Sequence, residues 1–477
     1  MKTTDLINSR FRRAFLPITG LAALFAFAAP LASAQDKTTL DLLVQKGVIT
    51  QADEDSVAKS AATPVVVTPK DGAVKGLKLE GMIQAQFDFL STKDNGPGSV
   101  TPTSTDEFLL RRVYLGALAD LGNGWNAEIL LDLAATDGAN QPKGGPQAAL
   151  PTTTATYNSA IGQNQFEKVL ITKNFTDVDG TLGVGFRKVD FTQEDETSSA
   201  QLKVTERSPV SRFFDESYST PTSGRIGFAD RHTGIFWNGT IPAIPGFYYS
   251  AALTDGVQNE NVQFTNPGGL NRFGYWASLG DKGTIAGVKY DVGINGGLSQ
   301  DENSVNVTAA GVPTSTVNQA NTDIGYNPYL KLDYGNFELS AEFEQVQVSH
   351  GRGPAAALTN ANTTTVTPYG FQITPSYKIT PDWEVVARYS YLDTNGRGVQ
   401  ISDADRDGEN TITGGSLFNN VSAFYAGVNW YIVGSSVKLS AGYEFDDFYN
   451  RSAAAGGAFT GPSADVSGFR TQLQVTF

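Results

Sequence analysis

The residues able to do chemistry in this chain are charges rather than nucleophiles. There is no cysteine, and the two histidines, His232 and His350, stand far apart without an evident third ligand. No Ser/His or Asp/His constellation and no phosphate-cradling glycine loop presents itself, so an enzyme is not expected. The densest charge lies in residues 192–229, with Glu194, Asp195, Glu196, Lys203, Glu206, Arg207, Arg212, Asp215, Glu216 and Arg225 beside Phe213 and Phe214. Carboxylates and guanidiniums mixed at that density can pair, bind ions or set the field of a narrow passage. A second acidic stretch, Asp403-x-Asp405-x-Asp407-Gly408, matches the first half of a calcium loop, where alternate carboxylates and a glycine turn wrap the ion. Its twelfth position is Gly414 instead of Glu, so it is not a full EF-hand. Asp403, Asp405 and Asp407 are candidate calcium ligands in an external loop, a solvated acidic loop being the alternative. No other cofactor is expected.

The elements that must position these charges alternate with a period of two. In the final segment, Ser467 to Phe477, the side chains of Phe469, Thr471, Leu473, Val475 and Phe477 share one face, and Arg470, Gln472, Gln474 and Thr476 share the other. Sixteen segments read this way: 81–90, 107–121, 125–135, 166–176, 180–191, 230–240, 247–256, 272–281, 284–300, 326–334, 337–350, 367–379, 383–393, 421–432, 437–448 and 467–477. Strands of roughly ten residues, apolar on one face and polar on the other, are the signature of a transmembrane β-barrel. The links support this. Gly122-Asn-Gly, Asp177-Val-Asp, Lys282-Gly, Gly335-Asn, Thr380-Pro-Asp and Val433-Gly-Ser-Ser are very short, Ile241 to Gly246 is slightly longer, and every other link is long. Strict alternation of this kind predicts short periplasmic turns and long external loops. An even strand count returns both ends to the periplasm. The expected fold is all-β: a 16-stranded antiparallel transmembrane β-barrel with a short N-terminal helical periplasmic segment. Trp125, Trp276, Trp383, Trp430, Tyr431 and Phe477 fall near strand ends, where an interfacial girdle belongs.

The N-terminus reads as a secretory signal over residues 1–34. Lys2, Arg10, Arg12 and Arg13 precede an apolar run, Phe15 to Ala29, and Ala32-Ser33-Ala34 suits cleavage. Residues 35–78 form a helical segment and linker, with two short helical pieces within 38–60. Residues 79–477 form the barrel. Four of the 35 basic and one of the 49 acidic residues lie in the signal, so the mature chain carries 31 basic and 48 acidic residues. That acidic balance argues against a nucleic-acid partner. A mean hydropathy of −0.21 excludes a helical membrane protein but suits a barrel, in which alternate residues face lipid.

Alternation also assigns the inner face. Leu182, Val184 and Phe186 point to lipid, so Arg187 points inward, at the end of a strand whose Gly183 and Gly185 leave room inside. The same pattern places Lys289, Lys331, Lys378, Arg388, Lys438 and Arg470 in the lumen. It places Asp88, Glu128, Asp132, Asp291, Asp333, Glu338, Glu342, Glu384 and Glu444 there too. Arg111 and Arg112 are adjacent and face opposite sides unless a bulge intervenes. A barrel of this size leaves an aqueous lumen, and the long charged segment 192–229 is expected to fold into it and set the constriction. Rings of Arg and Lys select anions and rings of carboxylate select cations. The inner face is mixed, and no selective anion pathway follows from these residues alone.

Three stretches together resemble the phosphate-selective porin O/P family. Gly183-Val-Gly-Phe-Arg-Lys-Val-Asp-Phe191, Glu194-Asp-Glu-Thr-Ser-Ser199 and Thr205-Glu-Arg-Ser208 match, in order, its glycine-rich strand end, its "E-x-x-T-S-S" stretch and its "ERS" stretch. Phe108-Leu-Leu-Arg-Arg-Val-Tyr-Leu-Gly116 is similar to its "RRA-x-LG" strand, and Tyr389 to Asp393 with Gly427 to Tyr431 to its C-terminal strands. The resemblance implies a homotrimeric outer-membrane channel, embedded in outer-membrane lipid, for phosphate or polyphosphate. It implies that Arg111 or Arg112, Arg187, Lys188 and Arg207 line the anion path. The acidic net charge and the lack of a dense ladder of inward arginines depart from the family pattern. The expected function is a passive outer-membrane porin for small hydrophilic solutes, anions such as phosphate among them. A general porin with a mixed-charge lumen and a plugged structural or adhesive barrel are the alternatives.

Overall fold

The computed structural model describes residues 74–96, 103–136, 166–216, 225–256, 273–309, 312–349, 365–405, 417–451 and 462–477. The signal and the helical pieces within 38–60 lie outside the described residues. Sixteen strands form one closed barrel in which each pairs with its sequence neighbours and the first pairs with the last. They are β1 (Gly76–Asp94), β2 (Thr103–Gly122), β3 (Trp125–Asp132), β4 (Phe166–Phe175), β5 (Gly180–Lys188), β6 (Arg231–Thr240), β7 (Phe247–Asp255) and β8 (Phe273–Ile285). The second half comprises β9 (Val288–Ala309), β10 (Val312–Tyr334), β11 (Phe337–Val348), β12 (Tyr369–Lys378), β13 (Trp383–Asp393), β14 (Phe418–Ser435), β15 (Val437–Arg451) and β16 (Ser463–Thr476). Among the described residues three short α-helices lie in the loops: α1 (Gln193–Glu196), α2 (Pro209–Phe214) and α3 (Ile401–Ala404).

The alternation seen in the sequence becomes the two faces of the wall. Along β8, Phe273, Tyr275 and Leu279 are exposed, and Gly274, Trp276, Ser278 and Gly280 between them are buried. The exposed set is the lipid face, where apolar side chains match their solvent. Closure removes the unpaired edges that an open sheet would present. At the seam, β1 and β16 run antiparallel from Met82 opposite Thr476 to Asp94 opposite Ala464. Gly81 and Phe477 exchange backbone hydrogen bonds of 2.9 and 3.0 Å.

Short turns gather at one end and long connections at the other, which fixes the periplasmic and external sides. Between β8 and β9 the turn is Ala286-Gly287, with φ of 51° and 84°. Positive φ at both central residues makes the turn twist with its strands. The sequence reading put this turn at Lys282-Gly283; β8 instead continues to Ile285. Trp383 and Trp430 stack at the same end, with centroids 5.3 Å apart and planes 4° from parallel.

Two long connections differ from expectation. The link between β9 and β10, read as a loop, is a continued hairpin in which Val312 pairs with Ala309. Its sequence is rich in Val and Thr, which suit a pleated ribbon. Residues 394–405, expected in an exposed external loop, turn inward. Ile401 and Ala404 of α3 are fully buried in one apolar cluster with Val210, Phe213 and Phe214. An apolar pair in a short polar loop gains more from this cluster than from water.

Candidate functional site

The described parts of the segment between β5 and β6, residues 189–216 and 225–230, are held against the inner wall. Their backbone carbonyls have lost water and need donors, and inward side chains supply them. Gln474 donates to the Ala200 carbonyl at 3.0 Å, Lys438 to Leu202 at 2.6 Å, Asn429 to Lys203 at 2.8 Å and Arg388 to Glu206 at 2.6 Å. Further along the same wall Glu342 of β11 accepts the Gln193 and Glu194 amides at 2.7 and 3.0 Å. These are free amides at the start of α1, and a carboxylate is the natural acceptor there. Ser208 caps α2 by accepting from the Ser211 amide, and Pro209 takes the first turn, where no amide partner is required. The returning chain pairs with α2 through Ile226 to Phe213 and Phe228 to Phe214 backbone bonds of 2.8 and 2.7 Å. Phe191, Phe213, Phe214 and Phe228 are buried beneath.

Most of the cations singled out in the sequence are engaged in this fastening. Arg111 grips Glu206 with two donors, one of them at 2.9 Å, and both residues are 3 % exposed. Arg207 lies 3.2 Å from Asp195, and Lys188 lies 2.5 Å from the same carboxylate. Arg388 reaches Glu194 at 3.1 Å and Glu444 at 3.6 Å. Arg470 donates to Asp88, Glu444 and Asp405 at 2.6, 2.6 and 2.7 Å. Arg187 lies over the Phe236 ring, 4.8 Å from its centroid, and reaches Asp190 at 2.5 Å. The alternation on which its inward placement was based is broken here. Val184 is exposed but Phe186 is buried, and Gly185 between them adopts φ 143°.

Arg111 and Arg112 are both buried, because a bulge does intervene. Gln84 pairs with Arg112 and Ala85 with Leu110, leaving Arg111 as the extra residue. Arg112 donates to the Gln84 side chain at 2.7 Å and has no carboxylate partner among the described residues. Lys289, Lys331 and Lys378 lie toward the short-turn end, away from the loop. Lys289 pairs with Asp333 at 3.2 Å in an exposed position. Lys331 and Lys378 have no ion-pair partner among the described residues.

The sequence reading missed Arg231. It starts β6, just as Arg187 and Lys188 end β5, and His232 pairs with Arg187 across the two strands. Arg231 binds Glu167 and, at 2.6 Å, Asp230. Lys188 interacts electrostatically with both Arg207 and Arg231, and Arg112 with both Arg111 and Arg207. Five cations therefore converge on the wall of β2, β5 and β6. The signal was the acidic-basic dipeptide Asp230-Arg231 at the second root of the charged loop. Burial pushes the Asp230 carboxyl up to about 6 against the pull of Arg231 and Lys188. Burial acts the same way on Asp195, but Lys188 and Arg207 outweigh it and hold that carboxyl below its usual range.

Of the candidate calcium ligands, Asp407 and the Asp403 side chain lie outside the described residues. Asp405 is buried, with its carboxylate on Arg470 in the barrel interior instead of an external loop.

The barrel is similar to solved porins at low identity. An anion-selective porin from Comamonas acidovorans shares 12% identity over 84% of this chain and 99% of its own, with a TM-score of 0.50. The outer membrane channel DcaP of Acinetobacter baumannii shares 11% over 86% and 100%, with a TM-score of 0.49. No curated protein sequence matches significantly. The sequence profile of phosphate-selective porins O and P matches residues 77–477, the whole barrel and its inward loop. A closed sixteen-stranded wall, a charged segment fastened inside it and that match lead to one assignment: the chain belongs to the phosphate-selective porin O and P family and forms an outer-membrane porin channel.

Proposed function

We propose that the channel passes small hydrophilic anions of phosphate size by passive diffusion, and that the wall of β2, β5 and β6 is its selective face. The observation that carries this reading is the convergence of Arg111, Arg112, Lys188, Arg207 and Arg231 beside the inward loop. Guanidiniums in a narrow, partly dehydrated passage offer forked donors to phosphate oxygens. Lys188 and Arg231 keep 22 and 17 % of their side chains exposed, enough to meet a solute. Lys331 and Lys378, without ion-pair partners among the described residues, add positive charge toward the periplasmic end. Segment 192–229 acts as the constriction; of the remaining residues named from the sequence, Arg187, Arg388 and Arg470 serve chiefly to hold its surroundings, and Lys289 stays in its exposed pair with Asp333 at the short-turn end.

The working assembly is a homotrimer in outer-membrane lipid, reached after removal of residues 1–34. A non-selective porin is the second reading, favoured by the number of inward cations already matched to carboxylates. Reversal potential across a chloride gradient, with phosphate as competitor, separates the two. Anion selectivity that Arg112→Glu and Arg231→Glu together reverse supports the proposal. A potential near zero in the wild type leaves the non-selective reading. Absence of any conductance from folded protein would instead indicate a plugged barrel.

A further inference from the structure

The second inward-turning segment ends beside an acidic cluster that the anion path does not use. Asp405, at the end of α3, meets Glu444 and Asp446 of β15, each offering an oxygen within 4.8 Å of the others. All three are buried, and Asp446 is 0 % exposed. Among the described residues, neither Asp446 carboxylate oxygen has a hydrogen-bond partner. An ionised carboxylate sealed from water with no donor and no counter-charge in ion-pair contact is strongly unfavourable.

The cations nearby are already shared. Arg470 serves Asp88, Glu444 and Asp405, and Arg388 serves Glu194 and Glu444. Neither forms an ion pair with Asp446. Among the described residues these two guanidiniums pair with four carboxylates, and the fifth, Asp446, has no ion-pair partner and borders the cluster. Ligand oxygens on opposite sides of a calcium ion stand about 5 Å apart, since each bond is about 2.3–2.6 Å. The observed spacing falls just within that span. Oxygen-only donors suit a hard dication, and full burial favours calcium over magnesium, which gives up its water reluctantly.

We propose that Asp405, Glu444 and Asp446 form a calcium site inside the barrel that clamps the inward-turning segment 394–405 to β15. The ion supplies the charge that Asp446 lacks. By holding α3 it also holds α2, because Ile401, Ala404, Val210, Phe213 and Phe214 share one apolar cluster. This site joins residues distant in sequence, unlike the linear Asp403-x-Asp405-x-Asp407 motif, from which it takes only Asp405.

The test uses the full chain folded into detergent without lipopolysaccharide, stripped with EDTA, then titrated with calcium chloride by calorimetry and melted with and without calcium. The wild type should bind one calcium per protomer and melt higher with it. Asp446→Asn should weaken calcium binding at least tenfold, lose the calcium-dependent rise in melting temperature, and melt above the metal-free wild type. Asp446→Ser should behave likewise if the asparagine variant does not fold. Asp403→Asn and Asp407→Asn should bind calcium as the wild type does. A wild type that takes no calcium, together with a stabilised Asp446→Asn, would mean that the carboxylates share a proton and would overturn the site. Undiminished binding by the Asp446 variants, or loss of binding in the Asp403 or Asp407 variants, would also overturn it.

Discussion

Arg111 and Glu206 form a buried two-point ion pair between the barrel wall and the inward loop, each residue 3 % exposed. Removing one partner of such a pair strands the other charge, at a cost of about 3–5 kcal/mol. Exposed pairs contribute only about 0–1 kcal/mol. Glu206→Gln should therefore lower the thermal midpoint in detergent clearly, and single-channel records should become noisier as the loop loosens. Lys289→Ala, which breaks the exposed pair with Asp333, should leave both unchanged. Equal effects of the two substitutions would show that the loop is not held by Arg111.

A pH dependence follows from Asp230, whose carboxyl is pushed up to about 6 by burial. Above pH 6 it is ionised and offsets Arg231 and Lys188; below pH 6 it is neutral and the cluster gains one positive charge. Anion selectivity should rise as pH falls through 6, read as the reversal potential in a salt gradient. Asp230→Asn should hold the channel in the more anion-selective state across that range. Asparagine tolerates the φ of 71° found at this position. A variant that keeps the wild-type pH profile would remove Asp230 from the account.

The arginines should differ in influence according to their partners. Arg187 is matched by Asp190 at 2.5 Å, whereas Arg112 meets the neutral Gln84 side chain and has no carboxylate partner among the described residues. Arg112→Gln should shift the reversal potential toward cations more than Arg187→Gln does. The reverse order would mean that the pairing seen here does not govern the field in the pore.

Lys331 and Lys378 stand on the other side of the constriction without ion-pair partners among the described residues. Replacing both by Glu should reduce anion selectivity with little change in thermal midpoint, because no buried contact is lost. A large loss of stability would contradict their placement.

Much of the barrel was legible because lipid imposes a simple rule on every second residue. Phe469 and Leu473 share one face and Gln472 the other by alternation alone, and the first two are exposed to lipid and the third is buried inside. The pairings of the site were less accessible. Glu206 meets Arg111 and Lys203 meets Glu384 only because of the path the loop takes, and no local periodicity encodes that path. The inward turn of residues 394–405 was hidden for the same reason. Its Ile401 reads as an isolated apolar residue until Phe213 and Phe214 arrive from far away in sequence. The extended hairpin of β9 and β10 was missed because it runs beyond the segments marked out by clear apolar-polar alternation.

The bulge at Arg111 gives β2 a spare residue. Leu110 before it and Leu115 after it both face lipid, although an unbroken two-residue rhythm would put them on opposite sides. Deleting Arg111 would restore that rhythm and leave both membrane-facing halves of the strand where they are, at the cost of the tether to Glu206. Deleting a residue elsewhere in β2 would reverse one half of the strand, driving charge toward lipid and leucine toward water. Position 111 is thus a point at which the strand can change length without changing sides.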